Sequence, residues 1–180
     1  MAAATPWQTA EVPGPKKASI IPKPEVVVAM MKRAKRPILI VGHKALQVEA
    51  AGKGTIDHAI QIANAMNLPV VATAHTVGEF LRRGFEKAFS MPLVDIANRL
   101  SDPEWEGLDG MGQYDLAMIV GVPYYMGWLI LSGLKHSAPN VRTISLDRFY
   151  QPNAAWSFPN MSVEEWSKSV EDIVAALEAK

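Results

Sequence analysis

Two short apolar runs, each closed by a glycine, frame this chain: Ile38-Leu39-Ile40-Val41 before Gly42, and Leu116-Ala117-Met118-Ile119-Val120 before Gly121. Neither alternates apolar with polar residues. A strand that reads this way is buried on both faces, as in a parallel sheet covered by helices. Val70-Val71-Ala72-Thr73 repeats the signature between them, and Val141 to Leu146 adds another strand after them. The stretches that separate the strands have helical spacing instead. From Glu25 to Lys35, Val26, Val27, Met30, Met31 and Ala34 share one face. The Lys32, Arg33, Lys35 and Arg36 cluster complements the carboxyl end of that helix, and Pro37 stops it. From Gly54 to Met66 the stripe is Ile56, Ala59, Ile60, Ala63 and Met66, with Asn67 closing the helix. Strands alternating with helices predict an α/β fold, a doubly wound parallel sheet.

The middle of the chain is less regular. Val77 to Arg83 reads as a short helix stopped by Gly84, and Met91 to Leu100 as another started by Pro92. Residues 101–112 are dense in turn formers, and Tyr150 to Met161 forms a second loop. A helix enters through Pro123. The last helix opens at Ser162-Val163-Glu164-Glu165, a capping box, and carries the stripe Trp166, Val170, Ile173, Val174 and Leu177. Residues 1–24 differ from the rest: Pro6, Pro13, Pro15, Pro22 and Pro24 forbid regular helix, yet Trp7, Val12, Ile20 and Ile21 are apolar. The expected organisation is an extended N-terminal arm over 1–24 and a single domain over 25–180.

The run from Leu116 to Leu134 contains no charge and has the length of a membrane span. Gly121 and Pro123 divide it, however, and Gly127 and Gly133 weaken it further. A buried strand followed by a buried helix accounts for the same residues, so no membrane insertion is expected.

Composition narrows the function classes. Eighteen basic residues balance 18 acidic ones in 180, so no long-range field favours nucleic acid or an anionic membrane surface. The absence of cysteine excludes disulfides and thiolate-held iron–sulfur clusters within the chain. The opening residues have neither a basic region nor an apolar core of an export signal, which predicts a cytoplasmic protein. On that ground Asn160-Met161-Ser162 is a chance glycosylation sequon.

In a doubly wound sheet, ligands sit beyond the carboxyl ends of the strands. The residues placed there are Gly42, His43, Lys44, Thr73, Gly121, Tyr124 and Asp147, the candidate cofactor-binding set. A glycine at a strand end lets the backbone approach a ligand, and amides in the following turn suit a phosphate. Asp147 stands where a ribose-binding acid stands, and Tyr124 and Tyr125 suit stacking on a ring. The glycine-rich dinucleotide fingerprint is missing, since Lys44 and Gln47 occupy its later glycine positions; Gly52-Lys53-Gly54-Thr55 lacks the upstream glycine of a P-loop. His43, His58, His75 and His136 match no zinc spacing, and no nucleophile–base pair stands out, so no catalytic residue and no metal site is assigned. Trp7, Trp105, Trp156 and Phe158 all fall in irregular Pro- or Gly-rich segments. Large apolar rings in such segments predict a protein–protein face, with Trp7 anchoring the arm.

The strand segments Lys35 to Gly42, Leu68 to Thr73 and Tyr114 to Gly121 resemble the central domain of thiamine-diphosphate enzymes. That resemblance implies a Rossmann-like fold of the flavin- and NAD-binding kind, without the thiamine-binding motif. The loop strings are more specific. Val12-Pro13-Gly14-Pro15, Asp102 to Asp115, Gly121 to Tyr125 and Pro152 to Asn160 resemble the epsilon subunits of archaeal acetyl-CoA decarbonylase/synthase complexes, from Trp7 to the last helix. The resemblance implies pairing with a large alpha subunit in a two-plus-two carbon monoxide dehydrogenase assembly, with the nickel–iron–sulfur chemistry in alpha. It leaves open two roles for the present chain: a non-catalytic subunit that stabilises alpha, or a redox subunit holding FAD across Gly42, His43, Thr73, Gly121 and Asp147. A self-standing nucleotide sensor is a third expectation.

Overall fold

The two glycine-ended runs become neighbours at the centre of the sheet. The computed structural model describes residues 14–47, 49–50 and 53–179. In chain order these form β1 (Ser19–Ile20), α1 (Pro24–Arg33), β2 (Pro37–Val41), a 3-10 turn (His43–Leu46), β3 (Glu49–Ala50), β4 (Lys53–Gly54) and α2 (Thr55–Met66). Then come β5 (Val70–Ala72), α3 (Thr76–Arg82), β6 (Ala88–Ser90), α4 (Leu93–Ser101), β7 (Leu116–Val120), α5 (Tyr124–Ser137), β8 (Arg142–Ser145), β9 (Trp156–Ser157) and α6 (Val163–Glu178). The main sheet has seven strands in the order β1-β9-β8-β7-β2-β5-β6, all parallel, while β3 and β4 pair as a separate antiparallel hairpin. β2 lies between β5 and β7, in a register that sets Leu39 beside Val70 and Met118.

Successive residues of β2 serve opposite cores, which is why its run is apolar throughout. Leu39 and Val41 join residues of α1, α2 and α6, whereas Ile38 and Ile40 join residues of α4 and α5. β7 divides in the same way, Met118 and Val120 against Ala117 and Ile119. Each fully buried aliphatic side chain of this kind contributes about 1.5–3 kcal/mol relative to exposure. The predicted α6 stripe is buried, and its capping box forms: Ser162 Oγ accepts from the Glu165 amide at 3.2 Å, and Glu165 Oε2 accepts from the Ser162 amide at 2.9 Å. Asn67 closes α2 in the left-handed conformation at φ 54°.

Three short strands of the main sheet have no counterpart in the sequence pattern, β1, β6 and β9, all at or near its edges, and neither does the β3–β4 hairpin. Within the expected arm, Ala18 and Ile21 are buried. The amides of Ser19 and Ile21 donate to the carbonyls of Ala155 and Ser157, each at 2.9 Å, and the Tyr150 hydroxyl donates to the Ala18 carbonyl at 2.6 Å. Sheet and arm therefore share residues 18–21. The charge-free run divides as predicted into β7 and α5, and among the described residues no helix is long and apolar enough to cross a membrane.

Candidate ligand cleft and partner-facing surface

The direction of the crossovers reverses at β2: the chain moves one way to β5 and β6, then returns to β7 and β8 on the other side. Ligands of open α/β sheets commonly enter at such a point. Here the backbone closes it. The Gly42 amide donates to Val120 O at 2.9 Å, and the Lys44 amide donates to Gly121 O at 2.8 Å. The Ala45 and Gln47 amides donate to the carbonyls of Gly42 and Lys44, at 3.1 and 3.0 Å. These four amides, which would suit a phosphate, are thus engaged by carbonyls of the turn and of the end of β7.

The open space lies one strand over, beyond the carboxyl ends of β7 and β8. It is a cavity of about 330 Å³ bordered by Lys44, Gly121, Tyr124 and Asp147, together with Thr55, Gln151, Trp166 and their neighbours. Four of the seven expected cofactor-binding residues meet there. Gly42 packs behind Gly121, His43 lies on the 3-10 turn, and Thr73 follows β5 with its amide donating to Val41 O at 2.9 Å; these three are outside the lining. Gln151 and Trp166 carried no signal in sequence, because the first lies in an irregular loop and the second reads as part of the α6 core stripe.

Inside the cavity the polar groups are partly committed. Asp147 Oδ1 accepts from the Gly121 amide at 2.7 Å. Burial pushes this carboxyl up to about 6, opposed by hydrogen bonds from the Gly121 and Val122 amides, which favour the ionised form. Gln151 is buried; its Nε2 donates to Tyr124 O at 3.0 Å and its amide to Ser157 Oγ at 3.0 Å, while its Oε1 has no partner among the described residues. Lys44 Nζ donates to Gln47 Oε1 at 2.9 Å, and the Arg148 guanidinium lies 4.0 Å over the Phe149 ring. The result is a mixed rim of aromatic and cationic groups over buried acceptors.

The expected partner-facing rings separate on inspection. Trp7 lies outside the described residues. Trp105 is half-buried, tilted against Tyr114 at 5.7 Å between centroids. Trp156, on β9, is also half-buried. Phe158 is only 2 % exposed and sits in the core shared by α1, α2 and α6, so its ring fills the fold instead of a surface. The large apolar side chains that do face outward include Met111, Tyr125, Leu129 and Phe149, none of which was singled out for a partner from the sequence.

A parallel sheet wound with helices on both faces, with its cavity beyond the strand carboxyl ends, defines a Rossmann-like α/β protein. Residues 1–174 match the family described as CO dehydrogenase beta subunit/acetyl-CoA synthase epsilon subunit, and the chain belongs to that family. It is 40% identical over 172 residues to the acetyl-CoA decarbonylase/synthase complex subunit epsilon of Methanothermobacter thermautotrophicus, covering 94% of both chains. It is 34% identical over 175 residues to the subunit of the same name from Methanothrix soehngenii, covering 96% of this chain and 90% of that one. Identity to subunit epsilon 1 of Archaeoglobus fulgidus is 38% over 142 residues, 78% of this chain and 73% of the other.

Proposed function

We propose that this chain is a non-catalytic, cytoplasmic subunit of the carbon monoxide dehydrogenase component of an acetyl-CoA decarbonylase/synthase complex. It stabilises a large alpha subunit, two copies of each, in reversible acetyl-CoA cleavage and synthesis. The observation that carries this reading is the match to subunits named epsilon of that complex over nearly the whole chain. A chain without cysteine offers no thiolates for iron–sulfur clusters, which fits the chemistry residing in its partner. The test is co-expression with the alpha subunit followed by intact-mass analysis of the native assembly. A two-plus-two mass is expected; recovery of this chain only as a free species overturns the assignment.

A second reading, a flavin-holding subunit that passes electrons from CO oxidation, is favoured by one observation: the buried Gln151 Oε1 beside the cavity, without a partner among the described residues. Against it, the turn amides that hold a dinucleotide diphosphate are engaged, and about 330 Å³ lies at the small end of ligand sites, roughly 300–1,000 Å³. The residues therefore fit one ring system better than a whole FAD. An absorbance spectrum of the purified complex separates the readings: a flavin band released on denaturation, and lost in Gln151→Leu, supports the redox subunit. Enlarging Gly121 is unsuitable for this purpose, because the fold itself requires that glycine.

A further inference from the structure

β6 ends the sheet, and its outer edge is open. The Val70 amide donates to Lys87 O at 3.0 Å, and the Met91 amide donates to Ala72 O at 3.3 Å. Lys87, Phe89 and Met91 therefore turn their backbone groups to β5, as parallel pairing with Val71 beside Phe89 requires. Ala88 and Ser90 turn theirs outward, where neither backbone takes a hydrogen bond among the described residues. Edge strands are commonly guarded by a charged side chain such as lysine. Lys87 is drawn elsewhere, because its Nζ donates to Asn67 Oδ1 at the end of α2.

The groups that flank this open backbone come from both faces of the sheet. Phe89, 41 % exposed, shares the face of its neighbour Val71, which α4 and α5 cover. On the other face Glu79 and Arg83 of α3 pair with each other, Arg83 also pairs with Asp57 of α2, and Phe80 is buried in the core. At about 100° per residue, Leu81 then lies on the flank of α3 turned from α2 and toward the edge. It is 55 % exposed. α4 meets α5 through Ser101 Oγ and Ser137 Oγ, 3.1 Å apart; its opposite flank carries Asp95 and Arg99, paired at 3.2 Å and half exposed.

We propose that this edge pairs with the same edge of a second copy, antiparallel about a two-fold axis through Phe89. The strand is self-complementary in that arrangement. Ala88 of each copy meets Ser90 of the other as a hydrogen-bonded pair, so every outward amide and carbonyl is used. The Phe89 rings face each other across the strands as the closer, non-hydrogen-bonded pair, while the Leu81 side chains approach on the opposite face. Antiparallel strands bring antiparallel helices with them. Arg99 of one α4 then lies toward Asp95 of the other, and unlike charges meet across the axis. An unrelated extended segment would satisfy the backbone alone; a second copy matches ring, aliphatic and charged groups as well. The proposal goes beyond the assignment to the complex, and its test uses this chain without alpha, so either can fail without the other.

Sedimentation velocity of the full chain over a hundredfold range of concentration should show a reversible monomer–dimer equilibrium. Ser90→Pro removes an outward amide and leaves the bonds to β5 intact, and Phe89→Glu sets like charges face to face. Each should weaken dimerisation at least tenfold, whereas Leu129→Glu, on the exposed side of α5, should leave it unchanged. Amide exchange in the unmodified chain reads the same contact without a substitution. The Ala88 and Ser90 amides should exchange at least tenfold more slowly in the dimer than in the monomer. A monomer at every concentration overturns the proposal. So does a dimer that survives both edge variants, that is lost in Leu129→Glu, or that forms without slowing exchange at Ala88 and Ser90.

Discussion

A Cβ placed on Gly42 would fall 2.3 Å from the carbonyl oxygen of Gly121. The two glycines that end β2 and β7 are therefore packed backbone to backbone, and each is needed for the other's position. The reverse substitution is no easier: a Cβ on Gly121 would meet Ala45 Cβ and the Ala45 amide nitrogen, both at 2.6 Å, at a φ of +71°. What the sequence presents as two ligand-approach glycines is one structural joint that holds the switch point shut. Gly42→Ala and Gly121→Ala should each lower stability by about 1–3 kcal/mol or more through overpacking, and the double variant should lose less than the sum because the sites are in contact. Urea unfolding followed by circular dichroism measures both. Wild-type midpoints for the single variants would show that the joint tolerates a methyl group.

Asp147 gives the isolated chain a pH dependence. Its folded-state pKa, about 6, lies above the ordinary 3.8. Between these values the folded chain binds more protons than the unfolded one, so this group's contribution falls as pH rises from about 4 to about 6 and is level above that. The full effect is at most about 3 kcal/mol, at 1.36 kcal/mol per unit. Asp147→Asn keeps an acceptor for the Gly121 amide and removes the charge, so the stability gap between pH 4 and pH 7 should narrow in the variant. Unfolding free energies at the two pH values decide it, and an unchanged gap would assign the slope to other groups.

Much of the sheet was legible because its signals are local. The apolar runs of β2 and β7 need no partner information to be read as buried strands, and the α6 stripe and its Ser162 cap are fixed by spacing alone. β6 and β9 were missed for the opposite reason: three and two residues, at or near an edge, carry no period and exist through the neighbours they pair with. The same holds for the cavity. Strand-end position found Lys44, Gly121, Tyr124 and Asp147, but Gln151 and Trp166 arrive from a distant loop and helix. Phe158 shows the limit of reading exposure from irregular sequence, since a Pro-flanked loop here folds inward and gives its ring to the core.

Asp115 ties the start of two strands. Its Oδ2 accepts from the Lys35 amide and its Oδ1 from the Arg36 amide, both at 2.8 Å, while its own amide donates to Arg36 O at 3.1 Å. Arg36 in turn sits 5.0 Å over the Tyr114 ring and pairs with Asp109 at 2.5 Å. Asp115→Ala removes the acceptor of the part-buried Arg36 amide and of the exposed Lys35 amide, which water can satisfy, and should cost about 0.5–1.5 kcal/mol. Asp115→Asn, which retains one acceptor, should recover part of that loss. Equal destabilisation by both variants, measured by thermal and urea unfolding, would implicate charge instead of the paired acceptors.

The edge of the sheet nearest the arm depends on one hydroxyl. Tyr150 OH donates to the Ala18 carbonyl at 2.6 Å in a buried setting, and the same burial raises the phenol's pKa. β1 is only two residues long, so this bond is a large share of what holds residues 18–21 against β9. Tyr150→Phe keeps the ring and removes the donor, leaving Ala18 O buried without that hydrogen bond. Global stability should fall by about 0.5–1.5 kcal/mol. Local opening should respond more selectively: amide exchange at Ser19 and Ile21, which donate to Ala155 and Ser157, should accelerate severalfold, while Leu39 and Ile119 in the central strands follow only the global change. Exchange that speeds up equally at all of these amides would mean that β1 opens only when the whole sheet does.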